Sequence, residues 1–96
     1  MSSRLDFLYA NSDAIKTIAA RHKALKISVI GSVARDEDGP ESDIDFLVTF
    51  SSDASLTDLA GLHDSLEEFL NMPVDVISSG GLKPRDSHIR EEALVL

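Results

Sequence analysis

The chain contains no cysteine. That excludes a disulfide framework and any thiolate zinc site, and it suits a reducing cytoplasm. It also lacks long apolar runs. No stretch approaches the ~18 residues of a membrane span. The opening MSSRLDFLYANSD has no apolar core of the kind a secretory leader needs. Positive charge is scarce: 9 Lys and Arg stand against 17 Asp and Glu, a net charge of -8. Such a field repels a nucleic-acid strand. It does not repel a small ligand bridged by a cation, or a basic protein. The expectation is a cytoplasmic protein with no direct nucleic-acid or membrane partner. Neither G-x-x-x-x-G-K-[ST] nor G-x-G-x-x-G occurs, so no P-loop or dinucleotide fingerprint is available. His22, His63 and His88 stand apart in the sequence without an H-E-x-x-H, and read as surface or helix-packing residues. DEDGPESDID resembles a calcium loop in composition only, since its glycine is misplaced and its final glutamate is missing.

What is present fits one small domain spanning 1–96, with 43% hydrophobic residues for a single core. A domain of this size buries about 60–65% of its unfolded surface, so the core is modest. A large second substrate would have to bring its own binding surface. SRLDFLYANSDAIKTIAARHKAL places Leu5, Leu8, Ile15, Ile18 and Ala19 at helical spacing, with room for a break at Asn11 and Ser12. Lys26–Ile30 is a β-branched run and predicts a strand. It ends at Gly31, and a short helix follows with Ser32 as its expected N-cap. Asp38–Ser42 is a turn broken by Gly39 and Pro40.

Asp43–Phe50 predicts a second strand, apolar on both faces past its first residues and so central in its sheet. Leu56–Leu70 carries a helical stripe of leucines behind a Ser55/Asp58 capping box. Pro73–Ser78 predicts a third strand, and Ser79–Gly81 a turn. Pro84–Leu96 opens on a proline suited to a helix start and predicts a closing helix or helical turn. The expected order is α-β-α-β-α-β-α. The expected fold is α+β, a mixed sheet of three or four strands with helices mainly on one face.

The chemistry lies at the strand mouths. Asp43 and Asp45 are two residues apart, so in a strand both carboxylates point to one face. Paired like charges raise each other's pKa. A hard cation bound through oxygen, such as Mg²⁺, would relieve the repulsion. Asp75, between Val74 and Val76, points away from both valines. If its strand lies beside that of Asp45, all three carboxylates can share a face. Three carboxylates can hold two metal ions, which clamp a triphosphate and activate an attacking hydroxyl. At Gly31 and Ser32 the backbone can approach a ligand closely, and free N–H groups with the Ser32 hydroxyl suit a phosphate.

Gly31-Ser32, ten intervening residues and Asp43-x-Asp45 together resemble the signature of the DNA polymerase β-like nucleotidyltransferases. The longer pattern GSVAR…SDIDFLV…PVDVI, with the tail GGLKPRDSHIREEALVL, is similar to the minimal nucleotidyltransferase (MNT) proteins. That resemblance implies the antitoxin half of a type VII HEPN/MNT toxin–antitoxin pair. It implies an Mg²⁺-dependent protein adenylyltransferase moving AMP from ATP to a tyrosine of a HEPN ribonuclease toxin. The partner would be that toxin, in a hetero-oligomer. By the same resemblance Asp43, Asp45 and Asp75 would be catalytic and would hold Mg²⁺ as two ions. Gly31, Ser32, Arg35 and Ser42 would bind the nucleotide, although Arg35 equally suits a structural ion pair. Two alternatives share the fold: an antitoxin that only occludes its toxin, and a transferase acting on a small molecule of aminoglycoside type. One departure stands out. Asp36 occupies the position where the family pattern GSxARG has glycine. Aspartate tolerates a left-handed turn better than most residues, so a small geometric change is expected, with added negative charge near the triphosphate.

Overall fold

Alternation of apolar side chains along three strands decides the architecture. The computed structural model describes residues 3–96; Met1 and Ser2, part of the single domain expected over 1–96, lie outside the described residues. The elements are α1 (Arg4–Ala10), α2 (Ser12–Arg21), β1 (Ala24–Ile30), α3 (Gly31–Ala34), β2 (Ile44–Phe50), α4 (Leu56–Leu70), β3 (Val74–Ser78), α5 (Ser87–Glu92) and β4 (Leu94–Val95). One-turn 3₁₀ segments at Ser79–Gly81 and Pro84–Asp86 link β3 to α5.

The four strands form one mixed sheet in the order β3-β2-β1-β4. β1 runs antiparallel to β2 and β4, and β2 runs parallel to β3. The parallel pair needs a crossover, and α4 supplies it. Ile27 and Val29 of β1, Ile44, Phe46 and Val48 of β2, and Val74 of β3 share one face, which is buried. Leu8, Ile15, Ala19, Leu62, Leu66 and Leu70 from α1, α2 and α4 close the core over it. The helices therefore cover mainly one face, as the sequence led us to expect. The residues between, Asp45, Leu47 and Thr49 on β2 and Asp75 on β3, point to the other face.

Local signals account for most boundaries. Asn11 ends α1 and begins α2, and its side-chain amide donates to the Phe7 carbonyl at 2.8 Å. The Ser55/Asp58 capping box forms, with the Ser55 N–H donating to Asp58 Oδ2 at 2.9 Å.

Two expectations need correction. The closing helix stops at Glu92, where Ala93 turns extended (φ -65°, ψ 131°) and Leu94–Val95 pairs with Ser28 and Val29. The open edge of β1 offers unpaired backbone groups, and satisfying them there outweighs one more helical turn. Ser32 is not an N-cap. α3 begins at Gly31, two residues earlier than a Ser32 cap would allow, with Ile30 in the cap position and no side-chain cap bond.

Candidate active site

β2 and β3 pair in a register that sets Asp45 directly opposite Asp75. On the other side, Asp45 pairs with Ile30, the last residue of β1 before Gly31. One strand end thus gathers Gly31, Asp45 and Asp75. Asp43 lies just ahead of β2, two residues before Asp45 and exposed. Asp75 is also exposed, while Asp45 is half-buried between its neighbours.

The electrostatics follow from this crowding. The Asp45 carboxyl titrates above the usual aspartate range. Burial is the main cause, followed by the charge of Asp75, hydrogen bonding to Asp75, and the charge of Asp43. Arg35 opposes the rise. These are the conditions under which a divalent cation is favoured over a second carboxylate proton. The donor set is oxygen only, which fits Mg²⁺ or a similar hard ion.

Gly31 makes the crowding possible. Its φ of +73° is left-handed, and a Cβ built there would overlap the Asp45 carboxylate and lie 3.3 Å from its Cγ. A side chain at 31 would occupy the space that Asp45 uses. Ser32 follows at the start of α3, whose first N–H groups have no intrahelical partner.

Arg35 closes α3. Its Nε donates to Glu37 Oε2 and its Nη1 to Glu92 Oε2, both at 3.0 Å. These bonds hold its guanidinium pKa above the ordinary arginine value, Glu37 contributing most. Asp36 adopts φ 56°, so the turn that favours glycine is made by aspartate. Its N–H reaches the Val33 carbonyl at 3.1 Å, and that of Glu37 reaches Ser32 at 2.8 Å. This pair of bonds is a Schellman motif, and the departure from GSxARG leaves that cap formed.

Ser42 belongs to the preceding turn: its hydroxyl accepts the Gly39 N–H at 2.9 Å. The same turn is braced by a residue that the sequence pattern did not single out. Arg4 Nη1 donates to the carbonyls of Gly39 (2.8 Å) and Ser42 (3.0 Å), and its Nη2 to that of Pro40 (3.0 Å). It also lies 3.5 Å from the Asp38 carboxylate. Arg4 therefore fixes the loop that delivers Asp43. It is 34 to 38 residues away in sequence, and no local spacing announces the contact.

The histidines divide. His22 packs its ring over Gly61 and lies 3.1 Å from the Ser65 hydroxyl, as a helix-packing residue would. His88 is exposed. His63 is not isolated: its Nδ1 lies 3.1 Å from Asp64 Oδ1 and its Nε2 3.6 Å from Glu67 Oε2. These three can bring ligand atoms within 4.8 Å of one another. They sit on α4, across the sheet from the face that carries Asp45 and Asp75. Glu67 Oε2 meanwhile accepts the Val74 N–H at 3.1 Å, a structural task.

Residues 12–96 match the family described as nucleotidyltransferase domain. A Methanocaldococcus jannaschii protein, provisionally named a protein adenylyltransferase, is 40% identical over 81 residues, 82% of this chain and 87% of its own. The protein adenylyltransferase MntA of Thermococcus cleftensis is 35% identical over 68 residues, 71% of this chain and 69% of its own. Among solved structures, one provisionally named a minimal nucleotidyltransferase superposes with a TM-score of 0.86 at 41% identity, covering 96% of this chain and 95% of that one. A tri-AMPylated Shewanella oneidensis HEPN toxin in complex with an MNT antitoxin matches with a TM-score of 0.58 at 19% identity, covering 78% of this chain and 58% of that one. That last likeness is one of fold.

Proposed function

Because the chain belongs to the nucleotidyltransferase domain family, we propose that it is an antitoxin that adenylylates its cognate HEPN toxin, using ATP, as a single minimal domain. The observation that carries this reading is the Asp45–Asp75 register beside Gly31, with Asp43 two residues away. The names of the similar adenylyltransferases and the toxin–antitoxin complexes of the same fold support it, including one with AMP-PNP.

In this reading Asp43, Asp45 and Asp75 hold Mg²⁺, two ions by the three-carboxylate arrangement. When bound, the metal supplies charge neutralisation at the phosphates and lowers the cost of ionising the acceptor. The chain's own residues do the rest. Gly31 and Ser32 present backbone N–H groups and a hydroxyl to the triphosphate. Arg35 retains guanidinium donors beyond its two carboxylate bonds and faces the phosphate charge. Ser42 borders the nucleotide by way of its loop.

The acceptor, a tyrosine hydroxyl of the toxin, attacks the α-phosphorus. A P–O bond forms to the acceptor, the α–β phosphoanhydride breaks, and pyrophosphate leaves. Asp75, the most exposed of the strand carboxylates, receives the hydroxyl proton. No helix among the described residues is long and apolar enough to cross a membrane, which is compatible with a cytoplasmic site of action.

The test is the intact mass of the co-expressed toxin after incubation with this protein, ATP and Mg²⁺. A gain of one or more AMP units is expected, lost in the Asp43→Asn/Asp45→Asn double variant. Removing that much transition-state stabilisation costs on the order of a thousandfold in rate, about 4 kcal/mol. A stable complex with no mass gain would instead identify an antitoxin that works by occlusion.

A further inference from the structure

The face of the sheet that carries Asp45 continues down β2 through Leu47 and Thr49. There a cavity of about 110 Å³ opens, with Leu47 in its wall. At roughly 3.4 Å per strand residue, these two positions lie about 7 and 14 Å from Asp45, so the cavity is separate from the carboxylates. Its polar lining is one-sided. Lys26 and Arg90 supply two cations, and Ser28, Thr49 and Ser79 supply three hydroxyls. None of its lining residues is acidic, in a chain that holds 17 acids.

The arrangement is built by the fold. Lys26 and Ser28 share a face of β1, and their strand partners are Thr49 and Leu47. Ser28 is only 2% exposed and Ser79 9%. The Thr49 and Ser79 hydroxyls are 2.9 Å apart, and Arg90 donates to the Ser79 carbonyl at 2.8 Å. That single bond leaves most of the five guanidinium donors free. Among the described residues, Arg4, Lys16, Lys23 and Arg35 each stand at ion-pair distance from a carboxylate. Lys26 and Arg90, like Arg21, Lys83 and Arg85, form no such pair among the described residues, and Lys26 and Arg90 line this pocket together. Both are exposed, and where they meet beside three hydroxyls, with no acid in the lining, they can hold an anion through charge-assisted hydrogen bonds.

We infer that this pocket binds a phosphate group, either as inorganic phosphate or as the 5′-phosphate of a nucleoside monophosphate. Its volume corresponds to about three or four waters, enough for a phosphate and too small for a nucleoside as well. A nucleoside monophosphate would therefore insert its phosphate and leave the nucleoside outside on the open sheet face. The inference is independent of the adenylyltransferase reading.

The experiment is an amide NMR titration of the full chain with inorganic phosphate, AMP and adenosine, without divalent metal and with a chelator present. Phosphate and AMP should shift the amides of Ser28, Thr49 and Ser79 saturably, and adenosine should not. Equal affinity for phosphate and AMP marks a free-anion site. Tighter AMP binding, with further shifts on the open face, marks a nucleotide site. In Lys26→Ala/Arg90→Gln the dissociation constant should rise at least about tenfold. Lys26→Ala alone, at an exposed position, should weaken binding with the fold intact, and Lys26→Arg should restore it. Asp43→Asn/Asp45→Asn, which removes the proposed transfer activity, should leave binding here unchanged. Absence of saturable shifts, an unchanged constant in the double variant, or equal shifts with adenosine would overturn the inference.

Discussion

Gly31→Ala tests the geometry of the carboxylate site at a single atom. The substitution meets two penalties. The first is conformational: at φ +73° an L-residue pays about 1–2 kcal/mol that glycine does not. The second is steric: the new methyl would overlap the Asp45 carboxylate, so the carboxylate must turn away. The backbone penalty alone lowers the melting temperature by about 4–16 °C in a domain of this size, at 4–8 °C per kcal/mol. Activity should fall further than the lost stability explains, because displacing a metal-binding oxygen by about 1 Å can cost on the order of a hundredfold.

Circular-dichroism melts measure the first effect, and AMP transfer at a temperature where the variant is fully folded measures the second. Gly39→Ala is the control: a Cβ there meets nothing within 4 Å, so its effect should stay within about 0.5 kcal/mol. In an Asp45→Ala background the steric penalty disappears and only the conformational one remains. A Gly31→Ala protein that melts and transfers AMP like the parent would refute the reasoning.

Three further outcomes follow from the same structure. Asp45 has a folded-state pKa raised above its unfolded value, so its contribution to stability is present at low pH and lost as pH rises through the folded pKa. In metal-free protein, Asp45→Asn should melt higher than the parent at pH 7, with the gap closing as pH falls toward about 4; a gap in the opposite sense, constant with pH, would contradict the assignment. Arg4→Ala removes three hydrogen bonds to loop carbonyls. It should cost about 1–3 kcal/mol by denaturant unfolding and raise the Mg²⁺ concentration needed for transfer. Asp36→Gly keeps the left-handed turn, so stability should change by less than about 1 kcal/mol, while the KM for ATP falls because a negative charge leaves the triphosphate's vicinity.

The nearness of Asp43 to Asp45 is legible because a single residue separates the two in the chain. Asp43 does raise the Asp45 pKa by its charge, although it sits just ahead of β2, where strand alternation no longer sets its face. Within β3, alternation sends Asp75 away from Val74 and Val76. The Ser55/Asp58 cap is equally local, closed by atoms three residues apart. Asp36 could be expected in a left-handed turn because its short side chain tolerates one, and its φ of 56° bears that out. The C-terminal reading failed in an instructive way. Ser87–Glu92 is helical, and nothing local distinguishes Leu94–Val95 from a further helical turn. Only the unpaired edge of β1 does so, and that edge lies more than sixty residues earlier in the chain.

Local sequence is enough to tell which strand side chains share a face, where most elements begin, and that oxygen ligands dominate the candidate metal site. All of these depend on neighbours a few residues apart, where chain geometry leaves little choice. The parallel pairing of β3 with β2, with Asp75 opposite Asp45 across thirty residues of chain, comes from the folded sheet. The tertiary fold also lets Arg4 brace the loop before Asp43, and brings Lys26 and Arg90 together over one pocket. Strand register and long-range side-chain contacts are set by how all the helices and strands pack around one another. That packing is a property of the whole core, and no window of sequence contains it.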